Sequence, residues 1–339
     1  MSELRQNRIT GEWVIIATER AKRPEDFHKH QEKPPLPKFN NDCPFCPGNE
    51  HMTPPEIMAD RRLGTRPNTK GWRVRVFANK FPALTPDEKA DWFHEAHFFN
   101  AVKGFGVHDV IVDNPAHDKT IGTMTKNDVE HTFFTYRERY QQLEQEPHIL
   151  LITIFRNYGA RAGASLEHPH SQLIATPVIP TRIQMRLDVA RDYFNIHSKC
   201  ITCDMIESTL EVEERVIYNT DNFVVFEPFA SQAPFETWIV PKRHCPSFGE
   251  ITKNELKELS HLARDIMRKI YYGVGDPDYN YLIQSSPVNT HFREHYHWYF
   301  QIVPRLNVTV GFELCSGIYI STAKPEETAE FLRTIKVPV

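Results

Sequence analysis

The sequence predicts an α+β protein built from a tandem duplication, each copy an antiparallel sheet covered by a long helix. Three observations predict it. A block recurs at a fixed distance: TKND at Thr125–Asp128 returns as TKNE at Thr252–Glu255, 252 − 125 = 127 residues on, and the same spacing carries His117 to His244, His168 to His295 and His170 to His297. Short apolar runs bounded by turn residues recur in both copies, as antiparallel strands require. Both TKN blocks place a threonine three residues before an acid at the head of a helical pattern, where the two side chains satisfy the free N–H groups of the first turn.

The elements follow in order. Strand candidates are WVIIAT (13–18), VRVFA (74–78), DVIVD (109–113), ILLITIF (149–155) and QLIATP (172–177), then NFVVFEPF, TWIVP, NYLIQ and YFQIVP in the second copy. The long helices start at Thr125 and Thr252, and 180–199 reads as a connecting helix. The stretch MTPPEIMADRRLGTRPNTKG is Pro-rich and charged and reads as an inserted loop with little regular structure. The expected division is therefore 1–179 and 180–339.

With 339 residues, 40% hydrophobic and 25% charged, the chain can bury two cores. A formal net charge of −4 argues against nucleic acid as a partner, though not against small anions. The polar start MSELRQNRITGEW and the lack of an apolar run near 20 residues read as a cytoplasmic protein without a membrane partner.

Of six cysteines, four form two CxxC pairs, Cys43/Cys46 and Cys200/Cys203. Alone, such a pair is a metal clip, a redox pair or two buried thiols. In each copy two histidines 51 residues apart accompany it, His117 with His168 and His244 with His295 (168 − 117 and 295 − 244). Two thiolates and two imidazoles saturate a tetrahedral Zn²⁺, so two structural zinc sites are expected.

HPHSQ, residues 168–172, sets His168, His170 and Gln172 on one face of an extended strand. With His168 held by metal, the His170 imidazole is free to attack phosphorus, and the Gln172 amide can donate to a phosphoryl oxygen. The alternative is that His170 only packs. At the 127-residue spacing the second copy reads HYHWY, so His297 lacks the amide partner, and one nucleophile per chain is expected.

HPHSQ, the upstream CxxC, RITGEWVIIATERAKRP, FANKFPAL, NYGARAGASLEHPHSQ and the terminal VGFE resemble the galactose-1-phosphate uridylyltransferase family, the nucleotidyltransferase branch of the histidine-triad superfamily. The resemblance implies two histidine-triad-like halves, a homodimer, and nucleotide sugar and sugar 1-phosphate substrates. It implies a ping-pong exchange of UMP between UDP-glucose and galactose 1-phosphate through a nucleotidylyl-His170, with Gln172 on the phosphoryl group. By the same resemblance Arg20 and Arg23 are diphosphate or nucleotide contacts, Asn79 and Phe81 line base and ribose, Asn157 and Ser165 hold phosphates, and Glu313 meets sugar hydroxyls. Arg20 and Arg23 read equally well as solvated charges. The second cysteine pair is similar to the plant ADP-glucose phosphorylase type within the family, which makes ADP-sugar phosphorolysis the alternative reaction. A non-catalytic zinc-dependent nucleotide-binding protein is the alternative of a different class.

Overall fold

A computed structural model describes residues 2–17, 23–29, 33–288 and 293–338. Its centre is one ten-stranded antiparallel sheet whose order is symmetric about its middle. One side holds β3 (Glu56–Arg61), β4 (Trp72–Ala78), β7 (Val107–Val112), β9 (His170–Thr176) and β8 (Leu151–Tyr158). The other holds β13 (Tyr279–Gln284), β14 (Tyr299–Pro304), β12 (Thr237–Pro241), β11 (Phe223–Phe226) and β10 (Val216–Asn219). The halves join where β8 pairs with β13, Asn157 opposite Asn280. A small sheet of β1 (Glu3–Gln6), β2 (Trp13–Ile16) and β15 (Tyr319–Ser321) and an exposed hairpin, β5 (Trp92–Glu95) with β6 (Phe99–Val102), stand apart.

Alternation of side chains gives this sheet two different faces. On one face Ile111, Ile154, Leu173, Ile239, Ile283, Phe300 and Ile302 pack into a single core with helices α1 (Lys126–Leu143) and α4 (Lys253–Ile270), which lie side by side. Both helices open on the expected capping boxes, Thr125 with Asp128 and Thr252 with Glu255. The other face is covered unequally. Over the second half lie α2 (Thr181–His197) and α3 (Ile201–Val212), whose Ala190, Ile201 and Ile206 bury Val224, Phe226, Trp238, Val240 and Tyr299. Over the first half, among the described residues, lies the CxxC loop, with Cys43, Phe45 and Cys46 against Trp72, Phe77, Val110 and Val112.

One expectation changes. The inserted segment is loop only in part: within it Glu56–Arg61 is the edge strand β3, paired with β4, with Met58 and Ala59 set against apolar clusters. The connecting helix is followed at once by α3, which begins at Cys200 as N-cap, so the second CxxC sits on a helix terminus. Short helices α5 (Gly311–Ser316) and α6 (Pro325–Thr334) complete the chain. No helix among the described residues is long and apolar enough to cross a membrane.

Candidate active site and metal clusters

Cys43, Cys46, His117 and His168 converge, all four buried, with ligand atoms within 4.8 Å of one another. Cys46 Sγ lies 3.6 Å from Nδ1 of His117 and 3.6 Å from Nδ1 of His168, and the two Nδ1 atoms are 3.2 Å apart. A tetrahedral ion with bonds of about 2.3 Å to sulfur and about 2.1 Å to nitrogen sets S···N near about 3.6 Å and N···N near about 3.4 Å. The residues therefore fit such an ion. His168 Nε2–H donates to the Asn114 carbonyl at 2.9 Å, so its Nδ1 presents a lone pair toward the cluster, the nitrogen a metal ion would take. Burial pushes His168 down to about 3, holding the ring in its ligating neutral form, and pushes the Cys43 thiol up to about 11, so a thiolate there needs a nearby positive ion.

The second cluster corrects the sequence reading. It comprises Cys200, Cys203, His244 and His297, not His295. Cys203 Sγ is 3.5 Å from His244 Nδ1 and 3.6 Å from His297 Nδ1, and His297 Nε2–H donates to the Pro241 carbonyl at 2.8 Å, as His168 does to Asn114. His295 turns its ring onto Phe194 and offers its carbonyl to the Cys200 thiol. Strand register gives the reason. Gln172 sits opposite Val110 and Phe155, and Gln301 sits opposite Trp238 and Leu282. The chain takes 172 − 155 = 17 residues to return in the first half and 301 − 282 = 19 in the second, so two residues are added before β14 and the spacing becomes 129 there. The second copy of HPHSQ is thus HWYFQ, 297–301: His297 matches His168, Tyr299 matches His170, and Gln301 keeps the glutamine that the 127-residue spacing had seemed to lose.

His170 opens β9. Its Nδ1–H donates to the His168 carbonyl at 2.8 Å, which puts the lone pair on Nε2, and among the described residues Nε2 has no hydrogen-bond partner. Burial lowers its pKa to about 4, with Arg156 adding to the effect, so the ring is neutral and nucleophilic at neutral pH. The Phe45 ring, 5.2 Å away, packs edge-on against it. Beneath the strand Ser171 Oγ donates to Asp113, which also receives Tyr136 and pairs with the fully buried Arg156 at 2.8 Å. This anchors His170 from the core side.

The remaining expected residues divide. Gln172 Oε1 meets His108 Nε2 at 2.7 Å, and Asn79 Nδ2 approaches the same nitrogen at 3.1 Å. Phe81 is 83% exposed, its N–H bound to Asn79 Oδ1. Asn157 Oδ1 accepts from Asn280 at the junction of the halves, and Ser165 is exposed in the turn before HPHSQ. That turn passes through Gly159, at φ +82°, where a Cβ would lie 2.0 Å from the Asp278 carboxylate; only glycine fits. Glu313 departs from expectation: its carboxylate accepts from Val310 N–H and Ile320 N–H at 2.7 and 2.8 Å, tying α5 to β15 instead of being free for a sugar. Arg23 is exposed, and Arg20 lies outside the described residues. His108 has no motif around it and was missed; its signal is only the diagonal position beside Gln172.

Fold and site define a duplicated α+β protein in which the His170 imidazole stands beside four Cys and His donors that could hold a metal ion. The N-terminal domain profile of galactose-1-phosphate uridyl transferase matches residues 1–180 and the C-terminal domain profile residues 186–337, so the chain belongs to that family. It is 36% identical to the ADP-glucose phosphorylase of Arabidopsis thaliana over 99% of this chain and 93% of that protein. It is 29% identical to the galactose-1-phosphate uridylyltransferase of Thermotoga maritima over the full length of both. The crystal structure of the Arabidopsis thaliana ADP-glucose phosphorylase with bound ADP-glucose superposes with a TM-score of 0.83 at 33% identity, covering 99% of this chain and all of that one.

Proposed function

We propose that the protein transfers a nucleotidyl group from a nucleoside diphosphate sugar through a covalent intermediate on His170. The carrying observation is the His170 ring, neutral, its Nδ1 proton held by the His168 carbonyl and Nε2 unengaged. Nε2 attacks the α-phosphorus, the bond to the bridging oxygen breaks, and the sugar 1-phosphate leaves with that oxygen and its electron pair. Positive charge on the ring is stabilised by the retained Nδ1–H···O=C bond. A phosphate oxyanion, free or on a second sugar, then attacks the same phosphorus and expels Nε2. Because the leaving groups are phosphates, no strong general acid is needed. The Gln172 amide N–H donates to the transferring phosphoryl, a donor of the kind whose removal costs about 10²–10³-fold in rate.

The two Cys₂His₂ sets suit zinc, which would hold them as structural clips and supply no step of the transfer. Through His168 the first clip fixes the carbonyl that orients His170. The donor we assign first is ADP-glucose with inorganic phosphate as acceptor, supported by the 36% identity to a phosphorylase of that name. UMP exchange between UDP-glucose and galactose 1-phosphate is the second reading, supported by full-length similarity to a uridylyltransferase. Intact mass after incubation with each donor tests both: an adenylyl adduct from ADP-glucose, discharged by phosphate, is expected; a uridylyl adduct alone moves the assignment to the second reading, and no adduct from either ends the proposal.

A further inference from the structure

The two glutamines at matching places, Gln172 and Gln301, are held with opposite polarity, and the residues that hold them differ in kind. Beside Gln172 stands His108. The Ala83 backbone N–H donates to His108 Nδ1 at 3.0 Å. A backbone N–H can only donate, so Nδ1 is the acceptor nitrogen and the neutral ring carries its proton on Nε2. Two groups face Nε2. Asn79 offers its amide nitrogen, since its oxygen is taken by Phe81 N–H at 2.9 Å, and an amide nitrogen cannot accept. Gln172 Oε1, at 2.7 Å, is the acceptor. Both amide hydrogens of Gln172 are therefore turned away from His108, on the strand face that also carries His170.

Beside Gln301 stands Glu236, two residues before the strand partner of Gln301, as His108 is two before that of Gln172. Glu236 Oε1 accepts from Gln301 Nε2 at 2.8 Å, and Gln301 Oε1 accepts from Gln284 at 3.0 Å. Here the amide nitrogen is turned to the protein, one of its hydrogens taken by the Glu236 carboxylate.

We propose that His108 is a positioning residue that sets the polarity of Gln172, presenting its N–H groups rather than its carbonyl to the transferring phosphoryl. This rests on the nucleotidyl-transfer reading of His170. Oxygen and nitrogen of an amide are interchangeable in shape, so without a fixed donor on one side Gln172 would face phosphate with a carbonyl in part of the population, a repulsive contact. An acceptor at position 108 would impose the wrong orientation throughout, as Glu236 does for Gln301.

The test compares His108→Gln with His108→Glu, side chains of one shape of which only the first can donate to Gln172. Each is made in the wild-type chain and in Gln172→Ala, with folding checked by melting temperature and donor KM measured beside the single-turnover rate of adduct formation. His108→Gln is expected to stay within several-fold of wild type, and His108→Glu to fall by about 10²-fold, the cost of one lost oxyanion-type donor, with KM changed far less. In Gln172→Ala, where no amide remains to orient, His108→Glu is expected to cost no more than about 3-fold further. Equal rates for the Gln and Glu variants would overturn the inference. So would a His108→Glu loss of the same size in Gln172→Ala, since that is charge repulsion acting without the glutamine. A wild-type chain that forms no adduct overturns the function, and this inference with it, whereas a wild-type adduct with indifferent variants overturns this inference alone.

Discussion

Strands β9 and β14 are two answers to one design. Each is preceded, two residues before its first residue, by a histidine that faces a CxxC, each carries a glutamine four residues after that histidine, and each is sandwiched between homologous neighbours. They differ in cover. Among the described residues, the face of β9 that bears His170 and Gln172 is covered by the CxxC loop, and Gln172 stays partly exposed. The same face of β14 lies under α2 and α3, where Tyr299 stacks on Trp238 at 4.2 Å and is 1% exposed. On the core side the contrast reverses: Ser171 and Arg156 form a buried polar network where the second half has Phe300 and Ile283 in the apolar core. One half keeps an electrostatically fixed strand, the one we propose for chemistry. The other closes the same strand for stability.

The largest effect that sharpens this contrast is on turnover. His170→Ala should lower nucleotidyl transfer by at least about 10³-fold, as loss of a nucleophile does. Tyr299→Phe should leave the rate within about 2-fold and hold or slightly raise stability, because the buried Tyr299 hydroxyl has no hydrogen-bond partner among the described residues. Steady-state rates and melting curves on the two variants decide it. A Tyr299→Phe enzyme as slow as His170→Ala would erase the difference between the halves.

Next comes the core-side network. Arg156→Met should destabilise by about 3–5 kcal/mol, because it strands the Asp113 carboxylate at 0% exposure. Adding Asp113→Asn should recover a large part, since the second half does without such a pair. Denaturant melts of the single and double variants measure the recovery, and a strictly additive double would show that the network is not an isolated pair.

The metal clips should separate stability from rate. Cys43→Ser and Cys200→Ser should each release one equivalent of metal and lower the melting temperature by at least about 5 °C, binding being coupled to folding at such sites. Only Cys43→Ser should also slow transfer, by about 10-fold or more, because His168 belongs to the first donor cluster and its carbonyl also holds His170 Nδ1–H. Metal analysis with single-turnover rates checks this; equal slowing by both would assign the second clip a part in catalysis.

The smallest effect is on pH. Asp109 and Asp113 of the first half pair with Arg139 and Arg156, whereas Glu227 and Glu236 of the second half have no salt bridge among the described residues. Burial raises the Glu227 carboxyl well above its ordinary value of 4.5, Thr328 acting against it with one hydrogen bond. A raised folded-state pKa gives stability that is complete below the unfolded value and is lost as pH rises through the folded one. Glu227→Gln should therefore flatten the fall of stability above pH 4.5, by at most about 1.4 kcal/mol per pH unit. Melting temperatures between pH 4.5 and 8 compare the slopes.

Much of this contrast is written in the sequence, and its limits are instructive. Capping boxes and alternating apolar runs place α1, α4 and the central strands, because local chemistry determines them. Edge strand β3 is hidden, since backbone pairing holds a polar segment whose composition says loop. HPHSQ marks His170 and Gln172. Its counterpart at 297–301 is misread at a constant spacing because His295 satisfies the count while two added residues move the matching histidine to 297, and only strand register and donor geometry reveal the shift. His108 is invisible for a related reason: its importance lies in which of its nitrogens accepts, and that is set by a backbone N–H 25 residues away.

The most direct test of the account is to locate the adduct. After brief incubation with ADP-glucose or UDP-glucose and proteolysis at alkaline pH, which preserves a phosphoramidate, tandem mass spectrometry should place one nucleotidyl group on His170, with the peptide bearing His297 and Tyr299 unmodified. A group on the second strand, or on His168, would contradict it.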